Sequence, residues 1–363
     1  MKPKILILSA SFGDGHNSAA RHLAEALKEK AEILVADPCH IGNPRINAFL
    51  CKAYREITTY TPKIWAWMYR STDRQDFSQP LPFIAKTEDA VANLLNKFEP
   101  DLVVNTYPLY PYMVARQFSI GRRVPIVTII TDSIEINAAW TRSPSDYFLI
   151  TDDHTREGLI TRNLPKEKMN ITGFPVSPRF ESLEKVSPDD PLNPFRILFF
   201  PTARSPHVTD IIKATLSHEN HITVVLGRNV RRLYSKVYSL KKSFPGRIHI
   251  KGWTRKVPEL LSSHHLVIGK AGGATVHEAI AAQCPMLVHH IVPGQEEGNI
   301  ELLDRFQTGS LATSAKTIRE SISNLLDDDA ALWREQKNRL SQHARPSAAR
   351  DAANFILSKV KPS

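Results

Sequence analysis

The sequence predicts an α/β protein of two doubly wound domains in series, facing a cleft. Three observations carry this. Short apolar runs alternate with helical patterns along the chain, as parallel sheets covered on both faces require. A stretch rich in proline and acid, SLEKVSPDDPLNPF (182–195), interrupts the alternation near its middle and reads as a linker. The 363 residues, 42% hydrophobic, are enough for two sizeable cores.

The first series opens with the buried-strand run 4–9 (KILILS). A helical pattern over 16–30 follows, with Ala20, Leu23, Ala24, Leu27 and Ala31 at helical spacing. Further strands read at 32–36 (EILVA), 101–105 (DLVVN), 125–131 (PIVTIIT) and 147–151 (YFLIT). The second series has 196–200 (RILFF), 222–226 (ITVVL), 248–251 (IHIK), 266–269 (LVIG) and 286–289 (MLVH). From Thr317 onward the pattern is helical, and Pro346 breaks it before a last helix at about 348–360. The expected domains are therefore 1–181 and 196–345, joined by the linker.

Composition excludes several classes. Cys39, Cys51 and Cys284 are odd in number and lack CxxC spacing, so neither a disulfide framework nor a cysteine zinc site is expected, and a reducing cytoplasm is. The N-terminal residues read as a strand and a polar turn, not a signal peptide. No stretch approaches the roughly 18 apolar residues of a membrane span. The 47 Lys and Arg against 37 Asp and Glu give a net charge of +10. That attracts nucleic acid, anionic lipid or phosphorylated substrates without choosing among them.

Two motifs sit where a strand ends and a helix begins, the position at which open parallel sheets bind ligands. In the first, SASFGDGHNSAA (9–20), Gly13 and Gly15 allow close approach of a ligand, and His16 opens the helix. The dipole there disfavours its protonated form and leaves it available as a base. An ordinary βα turn with a surface histidine gives the same local pattern. The second, GKAGGATVHEA (269–279), is followed by PGQEEGN (293–299). Backbone N–H groups around Gly272, Gly273 and Ala274 can meet a diphosphate at a helix N-terminus, with Lys270 and Thr275 beside it. Glu278, one turn on, can take two ribose hydroxyls. Gly294, Gln295, Glu296 and Asn299 follow the next strand, and their amides and carboxylate suit sugar hydroxyls. Asp152-Asp153 reads as a helix start rather than a DxD metal motif. His289-His290 follow a strand, with a surface or sugar-contacting role expected. His264-His265 are expected to end a helix.

Together GDGHNSAA, GKAGGATVHEA and PGQEEGN resemble the monogalactosyldiacylglycerol synthase and processive diacylglycerol glucosyltransferase group, in glycosyltransferase family 28. The likeness extends over nearly the whole chain, through YREITTYTPKIWAWMYRSTD (54–73), Thr131-Asp132 with Trp140, and ITGFPV (171–176). VVLGRN (224–229), with Gly227, Arg228 and Asn229, and KGWT (251–254), with Trp253, resemble its nucleotide-base pocket. The resemblance implies a GT-B fold: two Rossmann-like domains, acceptor on the first and UDP-sugar on the second, with the last helix crossing back onto the first. It implies inverting transfer of a hexose from a UDP-sugar to a membrane lipid such as diacylglycerol. His16 would be the general base and Asp132 a neighbouring acid that orients acceptor or base. No metal or other cofactor is implied. Two alternatives stand beside this: transfer of N-acetylglucosamine to another, lipid-linked acceptor, and an idle protein that binds a nucleotide-sugar or a membrane.

Three departures from the family pattern bear on substrate choice. Asn137 stands where the family usually has His, three residues before the Trp. The stretch 201–205 (PTARS) has no glycine, so Arg204 would supply phosphate contacts instead. Gln283-Cys284-Pro285 lacks the usual Gly two residues before Pro.

Segment 45–74 carries six Lys or Arg against Glu56 and Asp73, together with six aromatic residues. Taken alone it reads as an amphipathic helix packed on the core. With the resemblance, Lys52, Arg55, Lys63, Trp65 and Trp67 are expected to dock on an anionic membrane, and Asn137 and Trp140 to line the acceptor side. The expected location is peripheral, on the inner face of the cell membrane. No nucleic-acid motif is present, and no nucleic-acid partner is expected.

Overall fold

A computed structural model describes residues 2–80, 84–118, 123–202, 207–217, 219–227 and 230–360. The chain forms two compact units. One is Met1–Pro178 with Val292–Gly298 and Ser347–Ser363; the other is Arg179–Ile291 with Asn299–Pro346.

The first unit holds a six-stranded sheet of β1 (Lys4–Leu8), β2 (Glu32–Ala36), β3 (Leu102–Asn105), β4 (Ile126–Ile129), β5 (Tyr147–Ile150) and β6 (Met169–Ile171). Its order is β2-β1-β3-β4-β5-β6, and every pairing is parallel. Alternate residues feed two cores. Ile5, Ile7, Val104 and Val127 pack with Leu23 and Leu27 of helix Asp14–Leu27 and with Ala352, Ala353 and Ile356 of the last helix, Ala348–Lys359. Leu6, Leu8, Val103 and Ile126 pack on the other side with Tyr110, Met113 and Val114. The strand order reverses between β1 and β3, so the loops leaving these two strands diverge and open a crevice at their carboxyl ends. The basic aromatic segment forms two helices, Pro44–Tyr60 and Pro62–Ser71, divided where Pro62 begins the second.

The second unit has β7 (Arg196–Phe199), β8 (His221–Val225), β9 (Ile248–Lys251), β10 (Leu266–Lys270), β11 (Met286–His290) and β12 (Gly309–Leu311). The order is β12-β11-β10-β7-β8-β9, again wholly parallel. This is the Rossmann order, with its switch point between β7 and β10. The stretch 182–195 is packed rather than free. Val186 and Phe195 are buried in this unit's core, and the Val186 N–H donates to the Ser262 carbonyl at 3.1 Å. The long helix Ala315–His343 is interrupted by non-helical residues at 327–330 and buries Trp333 in the same core.

Candidate functional site

His16 is placed by a glycine turn. After β1, Gly13 adopts φ +92°, a conformation that side chains resist, and helix Asp14–Leu27 starts at the next residue. A Cβ at Gly15 would meet nothing within 4 Å, so the backbone there is open to a ligand. His16 is buried. Its Nδ1 lies 3.0 Å from Thr131 Oγ1, just beyond β4. Tyr107, beyond β3, meets the ring edge-on at 5.4 Å, and Trp140 lies at 6.0 Å. Burial pushes the imidazole down to about 4, against a smaller upward pull from the Thr106 carbonyl. The ring is therefore neutral at pH 7.

Asp132 follows Thr131 directly. Trp140 Nε1 donates to its Oδ2 at 2.8 Å. Burial raises the carboxyl to about 6; the Trp140 bond and the nearby Tyr69 hydroxyl pull it down, and the Glu296 carboxylate adds to the rise. Above pH 6 the crevice thus offers a neutral imidazole and an ionised carboxylate, each fixed by an aromatic wall.

Asn137 is committed to packing. Its Oδ1 accepts from Ala139 N–H at 2.9 Å, and its Nδ2 donates to the Tyr69 carbonyl at 3.2 Å and to Thr72 Oγ1 at 2.9 Å. It caps helix Ala138–Thr141 and ties it to the preceding helical segment, where an acceptor contact was expected. The expected membrane residues divide as well. Lys52, Arg55 and Lys63 are exposed. Trp67 is 71% exposed, whereas the Trp65 indole turns inward, edge-on to Tyr54 at 4.9 Å with its Nε1 buried. Residues two apart on a helix point about 200° apart, so both tryptophans cannot share one face. Ile46, Phe49, Tyr60 and Ile64 join Trp67 on the exposed side.

The segment Val292–Gly298 packs within the first unit. Gly294 adopts φ +84°, and a Cβ there would lie 3.1 Å from Ala66 Cα. A Cβ on Gly298 would overlap the Ser133 carbonyl, so only glycine fits. The Tyr54 hydroxyl donates to Gln295 Oε1 at 2.9 Å, and Arg70 pairs with Glu297 at 3.3 Å. Glu296 is buried, its Oε2 accepting from the Val292 N–H at 2.9 Å, and so closes the loop on itself.

In the second unit, β10 shifts register at Gly269/Lys270, and helix Gly273–Ala281 begins three residues later. Gly272 is its N-cap and no side chain caps it, so the first-turn N–H groups remain for an anion. Gly272, Gly273, Ala274, Thr275 and Glu278 are all half-buried. Asn299 is buried, and its Nδ2 donates to the Ala271 carbonyl at 2.9 Å, which shapes the glycine loop from behind. Gly227 has φ +58° after β8. Trp253 is exposed, with Arg255 5.4 Å from its ring. Arg204, Arg228 and Asn229 lie outside the described residues. His289 is buried against Phe199, its Nε2 3.3 Å from the Phe200 carbonyl, not at the surface. Among the described residues no three His, Cys, Asp or Glu gather as a metal site, and no helix is long and apolar enough to cross a membrane.

Sequence reasoning missed Thr131, Tyr107 and Tyr54 as site residues. The first two lie just past strand ends, a signal that could have found them. The contact of Tyr54 with Gln295 spans 241 residues and left no local trace.

These two sheets and their switch-point loops define a GT-B fold. The structure aligns with Acinetobacter baumannii MurG at a TM-score of 0.64 and 14% identity, covering 99% of this chain and 100% of that one. It aligns with the glycosyltransferase SnogD from Streptomyces nogalater at a TM-score of 0.60 and 17% identity, covering 98% and 100%. Residues 16–176 match the monogalactosyldiacylglycerol (MGDG) synthase family model. The whole chain is 24% identical to a processive diacylglycerol beta-glucosyltransferase of Bacillus cereus over 376 aligned positions, covering 99% of this chain and 95% of the relative. In sequence the chain is thus similar to the monogalactosyldiacylglycerol synthase and processive diacylglycerol glucosyltransferase group.

Proposed function

We propose that this protein is an inverting glycosyltransferase that moves a hexose from a UDP-sugar to a membrane lipid of the diacylglycerol type. The observation that carries the reading is the neutral, buried His16 at the open end of the first sheet, its Nδ1 3.0 Å from Thr131, the residue before Asp132. In the reaction the acceptor hydroxyl attacks the anomeric carbon as its proton passes to the imidazole. The bond from that carbon to the diphosphate breaks, UDP leaves, and the anomeric centre inverts. Asp132 orients the hydroxyl and offsets the charge gained by His16. The open first turn of helix Gly273–Ala281 takes the diphosphate, and its N–H groups stabilise the leaving charge. Glu278 takes the ribose hydroxyls, and Gln295 contacts the sugar.

The exposed apolar and basic side of helices Pro44–Tyr60 and Pro62–Ser71 supports a lipid acceptor. Phe49 and Trp67 lie in solvent beside Lys52 and Lys63, the composition of a surface that seats in anionic headgroups. On this reading the enzyme works peripherally at the inner face of the cell membrane and needs no metal. The test is UDP release from UDP-glucose, UDP-galactose and UDP-N-acetylglucosamine, with and without dispersed diacylglycerol. Release from one of the hexoses that depends on diacylglycerol and yields a glycolipid supports the reading. Release confined to UDP-N-acetylglucosamine favours the alternative transferase, and none from any donor favours an idle binder.

A further inference from the structure

We propose that the outer face of helix Val230–Ser243 is a second contact with anionic membrane, carried by the second unit. The choice of a bilayer as partner rests on the lipid-acceptor reading above. The helix contains Arg231, Arg232, Lys236, Lys241 and Lys242 and no carboxylate. Those five cations equal half of the chain's net charge of +10. Its inner face is fixed, because Leu233, Val237 and Leu240 are buried in the unit's core. All five cations are exposed, and none is paired with a carboxylate among the described residues.

A merely solvated helix is usually laced with opposite charges one turn apart, which lowers self-repulsion. Helix Ala315–His343 of the same unit does this, pairing Lys316 with Glu320 and Arg339 with Glu335. Helix Val230–Ser243 does the reverse. It adds two exposed tyrosines instead: Tyr234, 45% exposed, and Tyr238, 41%, stack at 5.5 Å, with Lys242 Nζ 5.2 Å from the Tyr238 ring. At helical spacing Arg231, Tyr234, Tyr238, Lys241 and Lys242 form one stripe. Tyrosine favours the membrane–water interface, and each basic residue at an anionic surface strengthens binding by roughly fivefold.

The test uses the full chain, sedimented with vesicles of phosphatidylcholine alone or mixed with phosphatidylglycerol. Substituting Arg231→Glu, Lys241→Glu and Lys242→Glu together should weaken partitioning onto the mixed vesicles by on the order of 100-fold. Binding to neutral vesicles and UDP affinity should be unchanged, the latter showing that the unit is folded. Tyr234→Ser with Tyr238→Ser should weaken binding to both kinds of vesicle by a smaller factor. Unchanged partitioning of the triple variant overturns the proposal. So does a triple variant that loses binding to a mixed-sequence oligonucleotide while keeping its vesicle binding. Transfer to detergent-dispersed diacylglycerol is scored separately. Its absence from the wild type, with vesicle binding still lost in the triple variant, ends the acceptor reading and supports the contact.

Discussion

Trp140 donates its indole N–H to Asp132 Oδ2 at 2.8 Å, and in doing so holds the carboxyl below where burial would carry it. Burial alone would carry Asp132 above its value of about 6; the Trp140 bond opposes that. His16 titrates lower, at about 4. The acid limb of kcat/KM should therefore fall near pH 6 and report Asp132. In Trp140→Phe the carboxyl loses a donor to its charged form, its pKa rises, and the limb should move to higher pH. Asp132→Asn should remove that limb and leave only the one near 4. A pH–rate profile of the three proteins checks this, and a limb unmoved in both variants would remove Asp132 from the reaction.

Tyr54 holds Gln295 through its hydroxyl. Tyr54→Phe should keep the packing against Trp65 and lose the hydrogen bond, about 0.5–1.5 kcal/mol. The expected result is a KM for the UDP-sugar raised roughly 2–10-fold, with affinity for UDP itself unchanged, since only the sugar would sense Gln295. Steady-state kinetics beside calorimetry with UDP separates the two.

Glu278 lies one turn past the open end of helix Gly273–Ala281. Glu278→Ala should weaken UDP binding by about 1.5–3 kcal/mol, the range for hydrogen bonds to a charged group. Calorimetric titration with UDP measures it, and equal affinities would take Glu278 out of the donor site.

Five histidines should make the fold acid-labile. His16, His22, His264 and His289 are each lowered to about 4 and His265 to about 3, burial being the largest cause in every case. Between the ordinary histidine value of about 6.5 and these values, the unfolded chain binds more protons than the folded one. Stability should therefore be highest above pH 6.5 and be lost as pH falls toward 4. Asp132, raised to about 6, offsets about one of the five protons. Denaturant midpoints across pH 4–7 should show an uptake of on the order of four protons on unfolding. A flat profile would mean these rings are solvated.

Ten of the twelve strands were legible because parallel strands buried on both faces read as continuous apolar runs, and both glycine motifs stand where such runs end; the three-residue edge strands β6 and β12 were too short to show. What lies at one spot from distant stretches was not legible. Thr131, Tyr107 and Trp140 meet His16 only because β1, β3 and β4 lie side by side, with the switch point between β1 and β3. The grouping of Val292–Gly298 with the first unit depends on Gly294 and Gly298 admitting backbone and side chains no local pattern announces. Trp65 and Trp67 were separable in principle by helical phase. Asn137 caps its helix through the Ala139 N–H, while the acceptors of its Nδ2, Tyr69 and Thr72, lie more than 60 residues earlier.

The central claim is that His16 is the base and that the donor does not depend on it. The most direct measurement is turnover and UDP affinity of His16→Ala against wild type. General-base catalysis contributes roughly 10²–10⁴-fold, so turnover should fall at least ~10²-fold while UDP affinity stays nearly constant. Wild-type turnover in the variant, or a loss of UDP binding as large as that of Glu278→Ala, would contradict the account.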